Sequence, residues 1–182
     1  MARSNLNIST LLTEAFLTAQ QFSNGTRCIK VLIEGENLIL STVTRRVGSA
    51  EEDFDRLAST VLKENGATIL LFCLSDQDAE KLNWLLLPFI PDNCAVREKM
   101  LYSSSRDDLK RALGLGFFSQ DYAANTLTEV TWDLLKSYLS NDHRKEEYLS
   151  DKERMVRDEK VRSFSQMPCF NLLFSTSFVS AN

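Results

Sequence analysis

Nucleophilic and metal chemistry usually runs through histidine, and this chain has one, His143, set among charged residues. Serine–histidine, cysteine–histidine and histidine–metal sites would all have to pass through it, and its setting suits none of them. Cys28, Cys73, Cys94 and Cys169 show no CxxC spacing. Cys28 and Cys73 stand inside apolar runs, where a thiol behaves as a small hydrophobe. Glu51-Glu52-Asp53 and Asp107-Asp108 are adjacent acids on helical stretches, so they point to different faces and form no catalytic pair. Gly114-Leu115-Gly116 follows a helix instead of a strand and has no third glycine or GK[ST] ending, which makes it a helix stop and not a phosphate loop. No nucleophile, base and oxyanion site assembles. The chain reads as a binding protein, not an enzyme, without a cofactor or a metal.

The residues best suited to recognition lie between Pro91 and Gly116. Asp92 or Asn93 can cap a helix start there, and Gly114 can end it. At 100° per residue, Cys94, Leu101, Tyr102, Leu109, Ala112 and Leu113 collect on one side. The other side carries Arg97, Lys99, Ser103, Ser104, Lys110 and Arg111, with Met100 in their midst. A thioether ringed by cations and hydroxyls suits a surface that meets another protein. Ser103 to Ser105 interrupt the run at mid-length, and serine hydroxyls that bond back to carbonyls one turn earlier often bend a helix. A half-buried helix with a solvated basic face and a stray methionine is the alternative reading.

Around this stretch the chain is 182 residues long and 43% hydrophobic, enough for one good core with a tail left over. A net charge of −4 argues against nucleic acid as the main partner. The amino-terminal MARSNLNIST lacks the apolar region of a secretory signal. No run approaches the roughly 18 apolar residues of a membrane span. A cytoplasmic protein is expected, in which the sequons at Asn7 and Asn24 go unused.

The elements that must position the long helix follow in order. Ser9–Phe22 reads as an amphipathic helix with Leu12, Ala15, Phe16 and Ala19 inward. Cys28–Ile33 and Leu38–Val43 form a hairpin across a four-residue turn, Glu34 to Asn37. Ser49-Ala50-Glu51-Glu52 is a capping box opening a helix to about Asn65. Ala67–Leu74 and Leu82–Ile90 are continuously apolar, as expected of central strands covered on both faces. A strand is expected near Tyr122–Thr126, and Thr131 can cap a last helix through Leu139. The order predicts an α/β (α+β) fold with a mixed sheet of five to six strands sandwiched between helices. Three regions follow: a domain over 1–140, a charged helical or disordered linker over 141–166, and an apolar tail over 167–182 that could be a truncated or variant terminus.

The wording AVREKMLYSSSRDDLKRAL resembles the long helix of the actin-depolymerising-factor homology (ADF-homology, cofilin-like) family. Its pattern is a basic residue, any residue, Lys, Met, an apolar residue, Tyr, two or three small residues, a basic residue, Asp, then apolar-basic-basic, running here from Arg97 to Arg111. The likeness extends over about Ser4 to Leu139, and PDNCAVREKMLYSSSRDDLKR with YLSDKERMVRDEKVRSF is most similar to the first domain of twinfilin and its following linker. The resemblance implies a monomeric, cytoplasmic protein of the actin cytoskeleton. It implies binding of actin monomers, the ADP form favoured, in a way that restrains their addition to filaments. It also implies contacts through Ser4, Asn5, Leu6, Arg97, Lys99, Met100, Ser103, Ser104 and Arg106, with filament barbed ends and phosphoinositide headgroups as further partners. Asn5 departs from the family's glycine. The chain ends near where a second domain would begin, which puts capping-protein binding in doubt. The Ser75–Asn83 projection, acidic apart from Lys81, speaks against filament severing. Rival readings are a coactosin-like or glia-maturation-factor-like filament or branch binder, and an adaptor working through its tail.

Overall fold

The computed structural model describes residues 6–21, 25–63, 66–75 and 82–147. Six strands form one mixed sheet in the order β1-β3-β2-β4-β5-β6: β1 Asn7–Ile8, β2 Thr26–Glu34, β3 Asn37–Arg45, β4 Thr68–Cys73, β5 Trp84–Phe89 and β6 Phe118–Asp121. The β1–β3 and β5–β6 pairs are parallel and the three central pairs antiparallel. Four helices flank it, α1 Thr10–Ala19, α2 Ala50–Val61, α3 Val96–Leu113 and α4 Trp132–Glu147.

Side-chain alternation sorts the layers. Ile69, Leu71, Trp84 and Leu86 pack with Leu12 and Phe16 of α1 and Tyr102 and Leu109 of α3 on one face. Leu70, Phe72, Leu85 and Leu87 pack with Phe54 and Leu57 of α2 and Leu135 of α4 on the other. Every residue of β4 and β5 is buried, which is why both runs read as continuously apolar.

Several boundaries differ from the sequence expectation for identifiable reasons. The hairpin turn is two residues, Gly35-Glu36, because Glu34 pairs with Asn37. Gly35 takes φ +61°, the glycine-first form of a tight turn. The capping box of α2 is present in both bonds, but the helix stops at Val61, where Lys30 Nζ takes the Val61 carbonyl at 2.7 Å and Leu62 turns extended into the core. The strand expected near Tyr122–Thr126 lies earlier, at β6, where Phe118 stacks on Phe16 with centroids 5.5 Å apart; Ala124 makes only an isolated bridge to Phe89. Helix α4 begins under a cap that its own segment does not supply, since Asp55 of α2 accepts from the Trp132 N–H at 2.8 Å. It runs past Leu139 to Glu147.

One polar cluster is buried. The pairing of β2 with β3 places one extra residue, Arg27, between Thr26 and Cys28. Such a bulge re-aims a side chain, and Arg27 lies over the Phe72 ring, 5.8 Å from its centroid. It is 0% exposed and donates to Asp53 Oδ2 at 2.9 Å and to the carbonyls of Gly48, Cys73 and Ser75. Asp53 also accepts from the Val47 and Gly48 N–H groups and from Arg56. Burial alone would raise the Asp53 pKa, but the bonds from Val47, Arg27 and Gly48 outweigh it and hold the carboxyl below its usual range.

Candidate functional site

Helix α3 is anchored along one side and bare along the other. Its inward stripe is Tyr102, Ser105, Leu109 and Leu113. The Tyr102 hydroxyl accepts from the Ile33 N–H at 3.0 Å, which ties the helix to β2, and burial raises the phenol's pKa. Ser105, absent from the apolar side expected from periodicity, is fully buried and donates to the Tyr102 carbonyl at 3.0 Å. Ala112, expected inward, is exposed. The serines do bond back, Ser104 to the Leu101 carbonyl at 3.1 Å, yet the helix is unbroken from Val96 to Leu113.

The start lies later than Asp92 or Asn93. The Cys94 N–H donates to the Pro91 carbonyl, so those residues belong to a turn, and the cap position is Ala95, without a side-chain bond. Gly114 closes the helix at φ +104°, where a side chain would also meet the Phe117 ring at 3.0 Å.

The basic side divides in two. In the C-terminal half, Lys110 pairs with Asp121 of β6 and lies 3.8 Å from Asp107, while Arg111 pairs with Asp108 at 3.2 Å. Those cations serve the fold. In the N-terminal half, Arg97 is exposed and makes no hydrogen bond or ion pair among the described residues. Met100 is 69% exposed, and Val96, one turn earlier on the same stripe, is 73% exposed. Ser103 and Ser104 continue that surface, and Arg106 folds back so that Nε donates to the Ser103 carbonyl at 3.3 Å. Lys99 is half-buried and reaches Asp92. The sequence reading missed Val96, although its place four residues before Met100 is the signal that finds it.

The expected amino-terminal contacts are placed only in part. Ser4 and Asn5 lie outside the described residues. Leu6 is half-buried against the α1/α3 core and anchors the segment where β1 joins β3. Residues 76–81 of the expected projection and everything after 147 also lie outside the described residues, which leaves out the tail and all of the expected linker except 141–147, where α4 continues.

Three of the four cysteines lie among the described residues. Burial pushes the Cys28 thiol up to about 12 and raises Cys73 and Cys94 as well. Among the described residues no group of His, Cys, Asp and Glu side chains could hold a metal ion, and no helix is long and apolar enough to cross a membrane. What remains is a helix presenting two exposed apolar side chains beside a guanidinium that is unpaired among the described residues.

Residues 5–140 match the model of the cofilin/tropomyosin-type actin-binding proteins. The chain belongs to that family. Twinfilin of Dictyostelium discoideum is 30% identical over 161 residues, covering 86% of this chain and 46% of that protein. Twinfilin of Drosophila pseudoobscura pseudoobscura is 33% identical over 105 residues, covering 58% and 30%. The chain thus spans less than half the length of these relatives. Among solved structures, Eh twinfilin superposes with a TM-score of 0.67 at 25% identity, over 75% of this chain and 99% of that one. Plasmodium berghei actin depolymerization factor 2 gives 0.63 at 18% identity, over 78% and 99%, and so shares the fold. The chain is a twinfilin-like member of a family of binding proteins, not enzymes.

Proposed function

We propose that the N-terminal half of α3 binds actin monomers, with the ADP form favoured, and so restrains their addition to filaments. The observation that carries this reading is the exposed Val96–Met100 pair beside Arg97, which has no polar contact among the described residues, on a helix whose opposite side is fixed in the core. Desolvating the apolar pair supplies affinity, and the cations supply register against an acidic partner surface. Lys99, Ser103, Ser104 and Arg106 extend the contact along the helix. Ser4, Asn5 and Leu6 extend it along the amino-terminal segment, which enters the sheet next to the Glu36 carbonyl. The same cations make phosphoinositide headgroups competing ligands of this face. Family membership and the likeness to twinfilins support actin as the partner.

The test is titration of fluorescently labelled ADP- and ATP-actin monomers, with filament co-pelleting alongside. Tight monomer binding that prefers ADP-actin, with weak pelleting, is expected. Pelleting without monomer binding would instead make the protein a filament-side binder.

A further inference from the structure

Arg97 and Lys99 stand two residues apart on α3, yet the fold treats them differently. Arg97 makes no polar contact among the described residues. Lys99 bends back over the turn between β5 and α3. Its Nζ donates to the Asp92 carbonyl at 2.8 Å and lies 3.7 Å from Asp92 Oδ1. The Asp92 side chain is 82% exposed against 35% for Lys99. It does not cap α3, whose cap is Ala95, and it makes no further polar contact among the described residues.

We propose that Asp92 is an affinity-limiting residue of the α3 face: its carboxylate, 3.7 Å from Lys99 Nζ, partly neutralises that cation and limits how strongly the face grips an acidic partner. This deepens the actin-binding reading and rests on it. A partner carboxylate that approaches Lys99 must displace or share with Asp92, and it meets a like charge while doing so. An ion pair this exposed is weak and opens readily, so Asp92 attenuates binding without abolishing it. Charges at the rim of an interface act mainly on association rate and salt dependence. The backbone carbonyl that receives Lys99 Nζ is unaffected by the side chain, so Asp92→Asn removes the charge and leaves the turn and the shorter bond in place.

The experiment titrates labelled actin monomers against the full chain and its Asp92→Asn, Lys99→Ala and doubly substituted variants, at low and at physiological salt. Asp92→Asn should tighten binding about two- to five-fold at low salt, with a smaller gain at higher salt. In the Lys99→Ala background the same substitution should change affinity by less than about 1.5-fold, since the pair it breaks is already gone. Unchanged or weaker binding by Asp92→Asn overturns the proposal. So does an equal gain with and without Lys99, which would make Asp92 a general repulsive charge. Arg97→Ala run in parallel separates the two levels. If it leaves affinity unchanged, the α3 reading itself fails; if it weakens binding while Asp92→Asn does nothing, only the role of Asp92 fails.

Discussion

Arg27 and Arg97 carry the same guanidinium to opposite settings. Arg27 is fully buried and bonded to Asp53 and to three backbone carbonyls, one before α2 at Gly48 and two at the end of β4 and just after it, Cys73 and Ser75. Arg97 lies in solvent beside Val96 and Met100 with nothing to hold among the described residues. The fold gives the Arg27 guanidinium acceptors and buries it; at the N-terminal end of α3 it leaves Arg97 without a polar contact among the described residues and Val96 and Met100 exposed. A fold that can bury and pair an arginine in one corner, yet leaves another bare beside exposed valine and methionine, points to the second region as the one kept for a partner.

Substitutions should separate the two regions cleanly. Arg27→Met leaves the Asp53 charge buried with fewer partners and should cost about 3–5 kcal/mol of stability in urea unfolding. Monomer binding should be unaltered at temperatures where the variant stays folded. Arg97→Ala with Lys99→Ala should do the reverse, costing about 2–4 kcal/mol of binding with stability changed by less than about 0.5 kcal/mol.

Between these extremes lies Tyr102→Phe. It leaves the Ile33 N–H without its 3.0 Å partner and should lower stability by about 1–2 kcal/mol, readable as a shift in thermal midpoint. Binding should weaken only slightly, as the helix loses one tether to β2. The smallest effect near neutrality is that of pH. Because the fold depresses the Asp53 pKa, that residue's contribution is fully present above its unfolded value of about 3.9 and is lost as pH falls through the lower folded value. Urea midpoints should therefore be insensitive to this group from about pH 5 to 8 and fall on further acidification. In Asp53→Asn that component of the acid slope should vanish.

Much of this division was legible in the chain. Continuous apolar runs at Ala67–Leu74 and Leu82–Ile90 announced central strands, Ser49 with Glu52 announced a helix start, and Gly114 a helix end. Met100 among cations marked the outward side of α3. Features set by distant partners were not legible. Arg27 lies just before the strand expected from Cys28, and nothing in its neighbours announces the bulge that turns it toward Asp53, 26 residues on, and Ser75, 48 residues on. The cap of α4 comes from Asp55, 77 residues before the amide it satisfies. Periodicity also cannot distinguish Lys110 and Arg111, which pair with nearby acids, from Arg97, which pairs with none among the described residues. Composition showed a basic side, and only geometry divides it.

The central claim is that the outward N-terminal half of α3 binds actin monomers. Its most direct test is a side-by-side titration of labelled ADP-actin monomers with the unaltered protein and with Arg97→Ala, both shown folded by their urea midpoints. The account predicts saturable binding by the former and affinity reduced at least about tenfold in the latter. Equal affinity in two equally stable proteins would contradict it.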